Sequence, residues 1–481
     1  MLSDEVARLS EGPARPVAHN RRVPSDCTTY LYQCRSLLSP IRRMPPEIMA
    51  HLFDISSPRL RTTQYRYICF VPLLALSQVC ASWRVIILGT PTLWRSISLS
   101  WQSDNASCTT KWLTAFLNRG AQCALHLKIF NVCPAVFELL MPHSDRWRTA
   151  KFSFSEPTEL GLLSAAKGRL SSLQRLEIGC AEGPDTLPLD VSKDAPNLRN
   201  LVIHRGLLLL FAASSPPLEQ LQVFKCSDLI TGEEVGAALD IMSHLSPASA
   251  FSINLKFGNW QGNSISRFDL PQTSSSINKL SIQVAIAAYT GGDCILGLSD
   301  ILASLTLPHL NELLLDRASE SNCVHIPWPH AGFMGLATRS LFHHTLQSLH
   351  LIMVAITETE LLEHVGVDMH LITDTLLAKF TLPVDPDSAA AAPLLVPHLR
   401  TLECSSLLKF DDSVLLDFLH SRRPVSEAHE PFKLDMTWPE GRYRDFHPVV
   451  FARLRELRIQ KQLLVCVWGT RGSCFFPPMY I

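Results

Sequence analysis

The sequence predicts an α/β protein in two parts: a short helical module over residues 40–100, followed by an irregular repeat solenoid over residues 101–461. Two observations carry this. Between Met44 and Trp94 apolar residues recur at helical spacing, and beyond Ser100 the pattern L-x-x-L-x-L returns seven times. Residues 1–39 read as a tail or weak helix, and 462–481 as a C-terminal cap or tail.

Taken in order, the first 39 residues hold a short helical start, Asp4 to Leu9, then a proline-punctuated polar stretch without apolar periodicity. In MPPEIMAHLFDIS, Pro45 and Pro46 open a helix whose first turn leaves N–H groups unbonded in any case, and Glu47 suits its positive end. Ile48, Leu52 and Ile55 share one face, widened by Met49 and Phe53. The insert Ser56 to Phe70 reads as a loop. From Pro72 one amphipathic helix is expected to align Leu73, Leu76, Cys80, Trp83 and Ile87, with Val79 and Ile86 beside them. Gly89 stops it, and Thr90-Pro91 starts a short turn carrying Leu93 and Trp94. Helical spacing by itself fits a small domain whose Trp83 and Trp94 are simply core.

The order of these residues resembles the F-box: Pro45, Pro46, Glu47 and Ile48, then Leu52 and Phe53, then Leu76, Val79, Cys80 and Trp83, then Leu93 and Trp94. Met44 stands where that pattern has leucine. The long insert and the preceding Ser39-Pro40-Ile41-Arg42-Arg43 resemble the large basidiomycete fungal F-box family.

After the module Ile97, Leu99 and Trp101 alternate as a strand, KWLTAFLNRG reads as a helix, and Leu125, Leu127 and Ile129 as the next strand. A helix from Val136 to Met141 and a strand through Ala150, Phe152 and Phe154 follow. The repeat then becomes explicit at Leu173, Leu176, Ile178, at Leu198, Leu201, Ile203 and at Leu218, Leu221, Val223. Further copies are Leu310, Leu313, Leu315, then Leu346, Leu349, Leu351, then Leu399, Leu402, Cys404 and finally Leu454, Leu457, Ile459, with a weaker one at Ile277, Leu280, Ile282. One such unit cannot bury its apolar residues without neighbours, so the array folds by stacking. The copies resemble leucine-rich repeats, which implies a curved, mainly parallel sheet with helices on its convex side. Gly232 to Ser275 and the alanine-rich VDPDSAAAAPLL read as insertions, FDDSVLLDFLHSRR as a helix with Val414, Leu415, Phe418 and Leu419 inward.

Composition excludes several classes. With 47% hydrophobic and 18% charged residues the chain forms a core, and 43 Lys plus Arg against 44 Asp plus Glu make no electrostatic case for nucleic acid or an anionic membrane. No apolar run approaches the roughly 20 residues of a membrane span. The N-terminus lacks the apolar block of a secretory signal, so cytoplasm or nucleus is the expected compartment, and the sequon at Asn105 is expected to be unused. Fourteen cysteines without a C-x-x-C pair read mostly as small core residues. His343-His344 and the pair His364 and His370 lack metal-site spacing, and no phosphate loop or nucleophile motif is present, so neither cofactor, metal nor catalytic residue is expected.

The F-box resemblance implies docking on a Skp-family adaptor and, through it, a cullin-RING ligase, with the chain as a non-catalytic substrate receptor. Pro45, Pro46, Ile48, Leu52, Phe53, Val79, Trp83 and Trp94 are the expected adaptor-facing or supporting residues, with Glu47 and Leu93 in the motif and Leu76 and Cys80 nearer the core. Strand alternation puts Glu177, Gln222, His350, Glu403 and Arg458 on the outward face, where a protein substrate would bind. A repeat scaffold with no ligase role is the rival reading, and a hydrolase or metal enzyme the next.

Overall fold

In the computed structural model the described residues are 40–56, 72–100, 106–180, 195–204, 207–213, 218–229, 231–257, 268–286, 291–317, 329–352, 372–381, 396, 398–405, 408–422, 431–437, 447–459 and 463–468. Two compact units divide the chain, residues 1–63 with 70–93 and residues 64–69 with 94–481. The expected tail, the insert after Ser56, Trp101, the alanine-rich loop, His364 and His370 lie outside the described residues.

The first unit holds helices α1 (Pro46–Ser56), α2 (Pro72–Ser77) and α3 (Ala81–Gly89), with a 3-10 turn at Pro40–Arg43 and another beginning at Pro91. The helix expected to run unbroken from Pro72 is two helices. Gln78 N–H and Val79 N–H bond back three residues, to the Ala75 and Leu76 carbonyls, and Cys80 is fully extended (φ −158°, ψ 168°). Ser77 Oγ donates to Leu74 O at 2.7 Å, and Arg84 Nε of α3 donates to Ser77 O at 3.0 Å, so the carbonyls at the break are satisfied.

The second unit is built on a thirteen-stranded sheet whose strand order follows the chain. Its strands are β1 (Ser96–Ser100), β2 (Leu125–Phe130), β3 (Trp147–Phe154), β4 (Arg175–Cys180), β5 (Asn200–His204), β6 (Val223–Leu229) and β7 (Ala250–Phe257). They continue with β8 (Lys279–Ile286), β9 (Glu312–Arg317), β10 (Ser348–Ile352), β11 (Thr401–Ser405), β12 (Phe432–Thr437) and β13 (Leu463–Trp468). Every neighbouring pair is parallel. Parallel neighbours need a crossover. Among the crossover elements are α4 (Ala106–Arg119), α5 (Pro134–Leu140), α6 (Leu208–Ala213), α7 (Gly232–Ser243), α8 (Gly291–Ser304) and α9 (His330–Arg339). Later ones are α10 (Phe342–Thr345), α11 (Asp374–Phe380), α12 (Asp412–Ser421) and α13 (Pro448–Ile459). None of the described helices is long and apolar enough to cross a membrane.

The core follows the period of two in each strand. Leu176 and Ile178 align with Leu201 and Ile203, then Phe224 and Cys226, then Phe251 and Ile253, all buried. On the same side Phe137 of α5 packs edge-on against Phe152 at 5.7 Å, and Phe418 of α12 against Phe432 at 5.5 Å. Each fully buried apolar side chain of this kind contributes roughly 1.5–3 kcal/mol. Cys226 and Cys404 occupy leucine positions, and burial pushes both thiols well up from their ordinary range, as for small apolar residues. Gly332 of α9 lies so close to α8 that an added Cβ would stand 2.6 Å from Ser299 O.

Five of the strands are preceded by the same tight turn: Leu173 N–H bonds to Leu170 O, Leu198 to Ala195, Leu221 to Leu218, Leu310 to Leu307 and Leu399 to Val396. The full pattern is therefore L-x-x-L-x-x-L-x-L, one apolar position longer than its recognisable core. This corrects the third copy. Leu201 pairs with Phe224 and Ile203 with Cys226, so the in-register residues are Leu221, Phe224 and Cys226, three places later than Leu218, Leu221 and Val223. Two more corrections follow. Gly232 to Ser275 is not a plain insertion, since it holds α7 and β7. Leu454, Leu457 and Ile459 lie on helix α13, with Leu454 and Leu457 buried and Ile459 66% exposed, because their three-residue step is also a helical one. His343 and His344 sit on the short helix α10.

Arginines, of which Arg146 and Arg422 are buried, satisfy the carbonyls at the ends of these elements. Arg146 donates to Gly120 O and Cys123 O just after α4, and Arg339 to Leu302 O and Leu305 O at the end of α8. Arg422 donates to Phe380 O and Val396 O after α11, and burial holds its guanidinium down at about 10.

Candidate functional site

The first unit divides the apolar residues of α1 between two faces. Met49 and Phe53, four residues apart, point inward, and the Phe53 ring meets Trp83 edge-on at 5.0 Å. Leu73, Ile87 and Leu93 complete this small core. On the outer side Ile48 is 49% exposed, Ile55 65%, and Val85 of α3 72%, with Leu88 exposed as well. Between α1 and α3 runs an open groove of about 560 Å³, lined by Pro46, Glu47 and Ala50 and by Ser82, Val85, Ile86, Gly89 and Thr90. Ala50, Ser82 and Gly89 are small, which leaves the depression, while Val85 and Ile86 supply its apolar lining and Ile48 lies on another face of α1. Thr90 Oγ1 bonds to Ile86 O at 2.6 Å and turns the chain out of α3.

The motif residues fall into three groups. Pro45, Pro46, Glu47, Ile48 and Val79 are exposed, and Leu52, Leu76, Cys80 and Trp83 are half-buried. Phe53, Leu93 and Trp94 are enclosed, so these support the fold and offer no contact surface. Trp94 belongs to the second unit, against Phe116 at 4.6 Å with the Arg119 guanidinium 4.7 Å over its ring. Sequence reasoning missed Val85, Leu88 and the groove-lining Ala50 and Ser82. The signal was the unbroken apolar run Val85 to Leu88, four consecutive residues that cannot all point into one core.

On the sheet, the face opposite the helices carries a register row: Lys151 beside Glu177, then Val202, Lys225, Ser252, Ser281, Leu314, His350, Glu403 and Asp435. Glu177 sits among Lys151, His204 (3.5 Å from Nε2) and Arg175 (3.6 Å). His204 Nδ1 is 3.4 Å from Asp228, which Lys256 pairs at 2.9 Å. Asp228 reaches this face because the register shifts between Cys226 and Leu229, where it adopts φ +67°. Gly179 leaves room for the imidazole, since a Cβ there would lie 3.1 Å from the His204 ring.

Burial raises the Glu177 carboxyl, but the His204 and Lys151 hydrogen bonds outweigh it and hold it down to about 2. The His204 bond, opposed by burial and reinforced by Lys256, likewise holds Asp228 at about 2. Burial lowers His204, yet its two carboxylate partners raise it to about 8. Further along, His350 Nδ1 is 2.7 Å from Glu403 and Nε2 3.8 Å from Glu312, which pairs with Lys279 at 2.5 Å.

Of the five residues expected on the outward face, the structure brings His350 and Glu403 together and places Glu177 in the separate His204 cluster. Gln222 precedes β6, its carbonyl accepting from Ala250 N–H, and Lys225 holds the corresponding face position. Arg458 lies on helix α13. Both assignments are corrected by the register above. Among the described residues no group of three or more His, Cys, Asp or Glu is arranged to hold a metal ion.

Residues 41–100 match the F-box-like family model. F-box-like domains typically bind Skp-family adaptors within cullin-RING ligases, where the chains that carry them serve in general as substrate receptors. A comparison with curated proteins found no match.

Proposed function

We propose that this chain is the substrate-recognition subunit of an SCF-type cullin ubiquitin ligase, a non-catalytic adaptor acting in the cytoplasm or nucleus. The observation that carries the reading is the F-box-like match over a module that leaves Ile48, Ile55, Val85 and Leu88 exposed and holds an open groove between α1 and α3. Exposed apolar side chains beside small residues suit a partner helix, which gains by taking them out of water. In this reading Pro46, Glu47, Ile48 and Val85 meet the Skp-family adaptor, with Phe53 and Trp83 holding α1 and α3 at their spacing. The insert and the Pro40 to Arg43 lead-in favour the large basidiomycete F-box family.

We read the sheet unit as an irregular leucine-rich-repeat solenoid that holds a protein substrate. Sequential parallel strands and the L-x-x-L-x-x-L-x-L pattern support this. Tethering substrate and ubiquitin-loaded enzyme on one assembly raises the effective concentration of the acceptor lysine, so the chain contributes binding and geometry and no bond chemistry.

The test is co-purification of adaptor and cullin with the full chain and with Ile48→Asp plus Val85→Asp, both side chains being exposed enough to leave the fold intact. The double variant is expected to lose adaptor by about 100-fold, roughly 2.7 kcal/mol. Undiminished retention by the variant refutes the groove, and failure of the unaltered chain to retain adaptor favours a scaffold without a ligase role.

A further inference from the structure

The open face of the sheet is divided by charge. On β2–β7 Lys128, Lys151, Arg175, Lys225 and Lys256 share the face with the carboxylates of Glu177 and Asp228, and His204 adds to the positive side when protonated. On β9–β12 the balance reverses: Glu312, Asp316, Glu403 and Asp435 stand with Lys433 and His350. Where the halves meet, the row itself is uncharged at Ser252 and Ser281, and Lys279 of β8 pairs with Glu312 across the boundary. The bulk charge of the protein is close to balanced, so this separation is a property of the fold and is invisible in composition.

We propose that this face docks an extended protein segment of bipartite charge, its carboxylate-bearing half over β2–β7 and its lysine- or arginine-bearing half over β9–β12. The inference rests on the substrate-receptor reading and names the class of substrate. Local ion pairs such as Lys256–Asp228, Lys279–Glu312 and His350–Glu403 hold the side chains in place. Glu177 and His350 expose only 14% and 18% of their side chains, so the groups are pre-positioned and a partner meets little ordering cost. From Lys151 on β3 to Glu403 on β11 the row crosses eight strand spacings. At about 4.8 Å each this is roughly 38 Å, the reach of about 12 extended residues. A segment with its charge blocks about that far apart satisfies both halves at once, and one with mixed charge satisfies neither.

The experiment measures fluorescence anisotropy of labelled peptides on the full chain at roughly 100 mM salt. The probes are a peptide with a glutamate block and a lysine block separated by an uncharged spacer, one of identical composition with alternating charges, and one carrying the glutamate block alone. The bipartite peptide is expected to bind about tenfold more tightly than either control, a difference near 1.4 kcal/mol. Lys128→Glu with Lys225→Glu should remove that preference, as should Glu403→Lys with Asp435→Lys. All four changes together should restore it, because the peptide then docks reversed. Circular dichroism and melting check the fold of each variant. Equal binding of the three peptides, no restoration in the fourfold variant, or tighter binding of a single-stranded oligoribonucleotide overturns the proposal. Adaptor co-purification in the same variants separates the two readings: intact adaptor capture without peptide preference sinks only this inference, and preference without adaptor capture sinks only the ligase role.

Discussion

The two units expose opposite kinds of surface. The small helical unit keeps aliphatic side chains such as Ile55 and Val85 in water, while the sheet unit buries the leucines on the helix side of its strands and turns lysines, glutamates and histidines to the other face. The physical lesson is a division of labour. Apolar contact gives affinity that salt barely touches, whereas arranged charges give orientation and selectivity that salt weakens.

The contrast can be broken most forcefully in the cores. Phe152→Ala, at a fully buried ring packed on Phe137, should cost about 3–5 kcal/mol in denaturant melts of the sheet unit. Val85→Asp, at a side chain mostly in water, should leave those melts within about 0.5 kcal/mol. An effect smaller than that of Phe152→Ala is expected at Gly332→Ala, where the new Cβ meets the α8 backbone. Overpacking there should cost roughly 1–3 kcal/mol, and a neutral outcome would show that α8 and α9 can separate.

The next effect reads the charged face by pH. His204 has its pKa raised to about 8 in the folded chain, so its stabilisation is full below the unfolded value near 6.5 and is lost as pH rises through about 8. Glu177 and Asp228, both lowered to about 2, stabilise above their unfolded values near 4 and lose that contribution as pH falls toward 2. Melting temperature should therefore decline between about pH 6.5 and 8, and His204→Gln should flatten that decline and also shrink the acid limb, because the His204 bond helps to hold both carboxylates down. A small effect belongs to Lys225→Glu, whose half-buried ammonium stands 3.5 Å from Gln283 Oε1 and whose replacement should shift stability by about 1 kcal/mol.

Much of this architecture is legible in the residues, and the failures are instructive. The strands through Leu313, Leu349 and Leu402 announce themselves because leucine recurs at fixed steps. The strand through Phe251 and Ile253 does not, since Phe, Cys and Met fill the same core positions elsewhere and break the leucine signal. Leu218 misleads because a turn residue three places upstream repeats the same step. Leu454 and Leu457 mislead because that step is shared by helix and strand, and the strand comes instead from LLVCVW at 463–468. In the first unit the motif order resembles the F-box, and the run Val85 to Leu88 signals an exposed apolar side chain, but the break at Gln78 and Val79 and the groove depend on packing across α1 and α3, which no linear spacing encodes. The His204 cluster was invisible for a related reason. It draws Lys151, Glu177, His204, Asp228 and Lys256 from five strands and depends on a bulge.

The central claim is that the α1–α3 groove binds an adaptor through apolar contact. Calorimetric titration of the full chain with a purified Skp-family adaptor, at roughly 0.05 M and again at roughly 0.5 M salt, tests it most directly. The account predicts saturable binding whose Kd changes by no more than about twofold between the two conditions. An absence of binding, or a weakening of about tenfold or more in the higher salt, would contradict it.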